Sequence, residues 1–321
     1  MMETVGLTLC LTRSCNAACR HCGLSASPEA DETMALDLAA MALQAACTGR
    51  RLRCVRLTGG EPMLLPSLVR GVLAVAHRLG LAAELCSNSF FARTPEAART
   101  ALEPLAGLGL SAYVTSLDRF HEEYVPTERV RHAVRAALDL GLCVTVMVMD
   151  DGPGAYSRRE MEMILGLPLD SPALRVESTA LVSAGRLAES AVPGLSRLAR
   201  PAAHWAGPCE RICRSPVLTA DGRLHACRNL GRHARLIGDI RAVPLPTLLD
   251  GMGRDPMLGL LAEHGPAGVY GLLAKRGEAD PRRTFLGPCD LCTALWEDSG
   301  LRAAAEALPG SLERSARQRS N

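Results

Sequence analysis

Apolar residues fall into short runs separated by longer stretches in which they recur every three or four positions. The runs Val5–Thr12, Leu52–Thr58, Ala82–Asn88, Ser111–Leu117, Cys143–Met149 and Leu174–Leu181 read as strands. The stretches 33–48, 66–79, 95–107, 127–140 and 157–166 carry helical periodicity. Repetition of strand and helix predicts an α/β fold with a parallel sheet and helices outside it. Six such units are too few to close an eight-stranded barrel, so the pattern predicts a partial (β/α)6 barrel over residues 1–190.

Ligands of parallel sheets gather at the carboxyl ends of the strands. The residues predicted there are the loop Ser14 to Cys22, Gly59-Gly60-Glu61-Pro62, Ser87-Asn88-Ser89, Ser116-Leu117-Asp118 and the stretch from Arg175 to Arg186. Past Pro201 the pattern changes. Asp221-Gly222 between short apolar runs signals a hairpin, and a helical stretch follows from about residue 245 to 277. The polar tail 311–321 reads as disordered.

Composition narrows the function classes. With 36 basic and 34 acidic residues the chain has no general attraction for nucleic acid or anionic membranes. Its apolar stretches are too short or interrupted to span a bilayer, and no export signal opens it, so a cytoplasmic location is expected. Thirteen cysteines in such a chain point to metal ligation and buried thiols rather than disulfides. Cys10, Cys54, Cys86 and Cys143 lie in predicted strands and Cys47 on a helix, and these five are assigned to packing.

The remaining cysteines form two sets. Cys15, Cys19 and Cys22 can aim three thiolates at one point from a single loop. A cubane iron–sulfur cluster normally takes four Cys, so three leave one iron open; structural zinc is the alternative. In the second set Cys209, Cys213 and Cys227 bracket the hairpin, and Cys289-x2-Cys292 follows far along the chain. That set suits either zinc or a fully ligated iron–sulfur cluster.

The Cys15-x3-Cys19-x2-Cys22 spacing, with Gly59-Gly60-Glu61-Pro62 one βα unit later, resembles the radical S-adenosylmethionine (SAM) enzymes. The resemblance implies a [4Fe–4S] cluster on these three Cys, with the open iron chelating SAM. Gly59, Gly60, Glu61 and Pro62 would hold the SAM amino group, and Ser87, Asn88 and Ser116 would be further SAM contacts. The second cysteine set resembles the Twitch domain, a short form of the SPASM extension, here residues 191–310. On that resemblance Cys209, Cys227, Cys289 and Cys292 ligate an auxiliary [4Fe–4S] cluster, and Cys213 is spare.

Length, domain order, Ser116 to Glu123 and Leu181 to Arg186 resemble the spectinomycin-pathway aminocyclitol dehydrogenase and the hygromycin-type aminoglycoside epimerases. Peptide epimerases of this family are similar too. The implied substrate is an aminocyclitol glycoside, and the implied electron donor is a flavodoxin or ferredoxin. Oxidation needs a base for the hydroxyl and an electron acceptor, whereas epimerisation needs a thiol to return a hydrogen atom. The resemblance places the epimerases' donor Cys where this chain has Ser183 or Arg228, which favours oxidation; Cys213 is the thiol that could reverse this. Asp118, His121 and Glu177 are the expected base candidates. Glu122, Glu123 and Arg186 complete the charged rim.

Overall fold

The computed structural model describes residues 4–48, 52–150, 155–189, 195–228 and 235–319. Six βα repeats build the first part of the chain. The strands are β1 (Gly6–Cys10), β2 (Cys54–Thr58), β3 (Ala82–Cys86), β4 (Leu110–Ser116), β5 (Cys143–Asp150) and β6 (Leu174–Ala180). The helices are α1 (Leu36–Cys47), α2 (Pro66–Arg78), α3 (Pro95–Gly107), α4 (Arg119–Glu122), α5 (Thr127–Asp139), α6 (Arg158–Leu165) and α7 (Arg186–Glu189). All six strands are parallel and adjacent in chain order. This is the expected α/β partial barrel.

The chain then adds strands β7 (Arg200–Pro201), β8 (Val217–Leu218), β9 (Arg223–His225), β10 (Leu236–Asp239) and β11 (Thr284–Phe285). Its helices are α8 (Leu245–Arg254), α9 (Pro256–Lys275), α10 (Pro288–Glu297) and α11 (Ser299–Arg319). β8 pairs parallel with β1, so the hairpin β8–β9 and β10 extend the same sheet to nine strands. The helical stretch expected at 245–277 is two helices, and Gly265-Pro266 kinks the second. The tail from Ser311, expected to be disordered, continues α11 to Arg319. The boundary expected at residues 190–191 falls largely outside the described residues, since 190–194 are not among them.

Alternation along each strand sorts the two faces. Leu7, Leu9, Val55, Leu57, Ala83 and Leu85 point outward and are nearly solvent-free beneath α1, α2 and α3. These helices offer matching stripes such as Ala39, Leu43 and Ala46 on α1 and Val69, Val72 and Leu73 on α2. Local signals start and stop them: Pro66 opens α2, Thr94 caps α3 by accepting from the Ala97 N–H at 3.1 Å, and a Ser157–Glu160 capping box opens α6.

The inner face is different. Register places Gly6, Cys54 and Ala82 in one layer, Thr8, Arg56 and Glu84 in the next, and Cys10 with Thr58 above them. Arg56 and Glu84 form an ion pair there, and Thr8 Oγ1 lies 2.8 Å from Ser215 Oγ. Cys10, Cys54, Cys86 and Cys143 share this inner side, which the helices do not cover; Cys10 is buried as expected, Cys54 and Cys86 are half-buried, and the packing assignment of Cys143 needs correction because it is exposed. Among the described residues no helix is long and apolar enough to cross a membrane.

Leu57→Ala should cost about 2–5 kcal/mol of unfolding free energy, measured by chemical denaturation, because it empties a fully buried contact between sheet and helices.

Candidate active site

The cysteine loop leaves β1 at its carboxyl end and is tied down before any ligand is considered. The Gly60 N–H donates to Thr12 O at 2.6 Å and the Glu61 N–H to Ser14 O at 2.9 Å. The Cys15 N–H donates to Ser27 O at 3.0 Å and the Cys22 N–H to Cys19 O at 3.1 Å. A Cβ on Gly60 would sit 2.2 Å from Ser14 O, and one on Gly59 would sit 2.4 Å from Thr12 O. The lack of side chains at these two glycines admits the backbone of the cysteine loop.

Glu61 is fully buried. Its Oε1 accepts from the Met63 N–H at 2.8 Å, and its Oε2 accepts from the Asn88 N–H at 2.7 Å. Burial pushes its carboxyl up to about 7, against the pull of those two donors. Glu61 is thus a strut joining the loop after β2 to the loop after β3, and Pro62 opens the single turn behind it. Asn88 in turn donates from Nδ2 to Asn16 Oδ1 at 2.9 Å, and the same nitrogen lies 4.0 Å from Cys15 Sγ. The Ser87 N–H bonds Val114 O, while Ser116 ends β4 opposite Met147.

Two more loops close on the cysteines. Asp118 is almost buried and caps α4, its Oδ1 accepting from the Phe120 and His121 N–H groups at 3.0 Å each. Its Oδ2 lies 2.8 Å from His121 Nδ1. Burial works against the charge on Asp118, but its bonds to His121 and the nearby imidazoles outweigh that and hold its carboxyl below the usual range. His121 stacks edge-on with His21 at 4.8 Å, and Phe120 meets His21 at the same distance. Burial, with His121 beside it, pushes His21 down to about 4. Tyr124 donates to Ala18 O at 3.0 Å, and Glu123 pairs with Arg20. Glu122 accepts from Tyr156 Oη at 2.5 Å. The two rim glutamates are exposed, and each also holds a partner within the protein.

Arg186 is the residue whose role the sequence reading missed. Its Nη1 donates to Cys19 O at 2.6 Å, its Nη2 to Ala26 O at 2.7 Å, and its own N–H to Cys22 O at 3.1 Å. Gly185 precedes it with φ +56, and a Cβ there would lie 2.5 Å from both Cys22 O and Gly23 O. No spacing rule pairs residue 186 with residues 19–26; only the curl of the sheet does. Ser183 lies on the other side of this loop, exposed. Its N–H donates to Asp290 Oδ1 at 2.9 Å on α10, and it borders a hollow of about 190 Å³. Glu177 sits on the inner side of β6 beside Arg175, 3.3 Å away.

The three thiols of the loop lie within electrostatic reach of one another, and burial pushes Cys15 up to about 11 and Cys19 to about 12. Three thiols held by a fixed backbone in one half-buried pocket fit a cluster with one open metal. A second convergence exists. Cys292, on α10, has the thiols of Cys227, Cys289 and Cys209 within electrostatic reach, and burial raises it well above the ordinary thiol range. Cys213 has Cys227 and Cys209 within electrostatic reach, is solvent-free, and takes φ +63 at the foot of β8, where its N–H bonds Ala226 O. Four Cys of this kind fit a closed metal centre.

The profile of the Radical SAM superfamily matches residues 9–165. This part of the chain is a radical SAM domain. The putative peptide biosynthesis protein YydG of Bacillus subtilis (strain 168) is 21% identical over 171 residues, 52% of this chain and 53% of the relative. The alignment thus spans about half the length of that curated protein. Among solved structures, BtrN in complex with AdoMet and 2-DOIA is similar in fold, with TM-score 0.49 and 14% identity over 88% of this chain and 93% of its own. SuiB of Streptococcus suis bound to S-adenosylmethionine has TM-score 0.46 and 12% identity over 81% and 68%.

Glu61→Gln should destabilise the radical SAM domain by about 1–3 kcal/mol in chemical denaturation, since an amide must turn a donor toward a backbone N–H. Arg186→Ala should lower the iron retained at the Cys15, Cys19 and Cys22 site after reconstitution, with the loss read by iron assay against a Cys15→Ala control.

Proposed function

We propose that this protein is a radical SAM dehydrogenase that oxidises a secondary alcohol of an aminocyclitol glycoside to a ketone. The observation that carries the reading is the second meeting of thiols, at Cys209, Cys227, Cys289 and Cys292, beside a barrel whose inner face is polar. Cys15, Cys19 and Cys22 would hold the cluster that, with SAM, would supply radical hydrogen-abstraction chemistry, and Cys209, Cys227, Cys289 and Cys292 would hold a cluster able to accept one electron.

The chain's own residues supply binding and proton transfer. Thr8, Arg56, Glu84, Thr58 and Glu177 give the inner face hydrogen-bonding and charged groups, which suit a hydroxyl-rich, amine-bearing substrate better than an apolar one. His121 is the favoured base. Asp118 has both carboxylate oxygens engaged and serves to orient the ring through Nδ1, leaving Nε2 as the nitrogen able to take a proton. Glu177 is the lesser candidate, because Arg175 neutralises it. Cys213 is sealed at the foot of β8, below the rim, which weighs against its returning a hydrogen atom to substrate.

One observation favours epimerisation as a second reading. Cys86 ends β3 on the inner side, next to Ser87 and Asn88, and burial pushes its thiol up to about 12, so it keeps its proton. A thiol S–H is weak enough to repair a carbon radical.

Anaerobic turnover of iron-reconstituted protein with SAM, a reductant and aminocyclitol glycosides in deuterated water separates the two. The expected product has lost two hydrogens, matched by 5′-deoxyadenosine, and Cys15→Ala should abolish both. An isomer carrying one new carbon-bound deuterium, lost in Cys86→Ala, would replace oxidation by epimerisation.

A further inference from the structure

The loop after β3 carries a residue in a conformation that glycine alone takes freely. Ser89 has φ +69, the left-handed region in which a Cβ crowds the following carbonyl. Its side chain is solvent-free. The hydroxyl meets two others, Tyr113 Oη at 2.8 Å and Thr115 Oγ1 at 2.7 Å, and the Ser89 N–H donates to Ser87 Oγ at 3.2 Å. Tyr113 and Thr115 stand two residues apart on β4, so they share one face. That face turns toward the helices: Tyr113 lies opposite Leu85 in register and packs in the same apolar core. Hydroxyls buried in such a face call for a reason beyond packing. Burial pushes the Tyr113 hydroxyl well up, so it keeps its proton and remains a donor.

The reason lies one residue before the turn. With Ser89 left-handed, the Phe90 N–H reaches back to Asn88 Oδ1 at 3.0 Å. That bond fixes which way the Asn88 amide faces. Its Nδ2 then points at the cysteine loop, 2.9 Å from Asn16 Oδ1 and 4.0 Å from Cys15 Sγ. Phe90 is pinned in turn, its carbonyl accepting from Arg129 Nη1 at 2.8 Å. We infer that Tyr113 and Thr115 are positioning residues for the SAM-cluster site: they hold Ser89 in its left-handed conformation and so aim Asn88, expected from the sequence to contact SAM, at the cysteine loop. They act through Ser89 and Asn88. This role is the same whether the product is a ketone or an epimer, since it concerns the cluster and SAM alone.

Substitutions at Ser89 separate the turn from the hydroxyl. S89A and S89G remove the same two hydrogen bonds, but only glycine takes φ +69 without strain. In iron-reconstituted protein, with SAM binding measured by anaerobic equilibrium dialysis, S89A should bind SAM roughly tenfold more weakly, the factor that matches the left-handed cost of a non-glycine residue. S89G should bind like the wild type. Y113F/T115V should match S89A, and adding S89G to it should restore binding. The electron paramagnetic resonance signal of the reduced cluster, recorded with and without SAM, should follow the same order; loss of folded protein alone would lower the signal without changing its response to SAM. Equal weakening by S89A and S89G overturns the inference, because the hydroxyl rather than the turn would then matter. Wild-type binding by S89A or by Y113F/T115V overturns it as well, and so does failure of S89G to restore binding to Y113F/T115V.

Discussion

The cysteine loop holds its shape because other backbones press against it. Gly59 and Gly60 lie so close to Thr12 and Ser14 that no side chain fits between them, and the hydrogen bonds made there are backbone to backbone. Three thiols can converge only if the chain carrying them has lost its conformational freedom in advance, because fixing each residue costs about 1–2 kcal/mol. The fold meets that cost outside the site. The loops after β2, β4 and β6 each bond the cysteine loop, and each is aimed by a strand whose outward face is locked beneath helices.

Two buried carboxylates complete this arrangement in different ways. Glu61 joins two loops by accepting one backbone N–H on each oxygen, and Asp118 caps a short helix while fixing the ring of His121. In both, each oxygen accepts a bond that fixes the local structure. That division makes His121, rather than its neighbour, the group with a nitrogen to spare. Arg186 plays the matching part for acceptors, satisfying carbonyls of the loop that bears the thiols.

The chain past residue 195 extends the barrel's sheet at its β1 edge. Its hairpin joins β1 in parallel through β8, and α10 brings Cys289 and Cys292 to Cys209 and Cys227. Nearly eighty residues separate Cys213 from Cys292, and the intervening helices α8 and α9 pack in the same core as the barrel. The second thiol set is therefore as much a product of the core as the first is of neighbouring loops.

The sequence by itself determined the order of strands and helices, the parallel sheet, and the two groups of cysteines. Those follow from local periodicity and spacing, which tertiary contacts here reinforce. Only the tertiary structure decided which side of each strand faces the barrel interior. Cys54 and Cys86 read as buried apolar residues because a strand's alternation shows that two faces differ but not which one a helix covers. The same limit hid the roles of Glu61 and Arg186. A charged residue near a strand end reads as a site residue, and whether a backbone group distant in sequence takes its hydrogen bonds depends on how the sheet curls. The tail beyond Ser311 was misread for a related reason: its polar composition cannot show that α11 has already been started by packing at Leu301, Ala305 and Leu308.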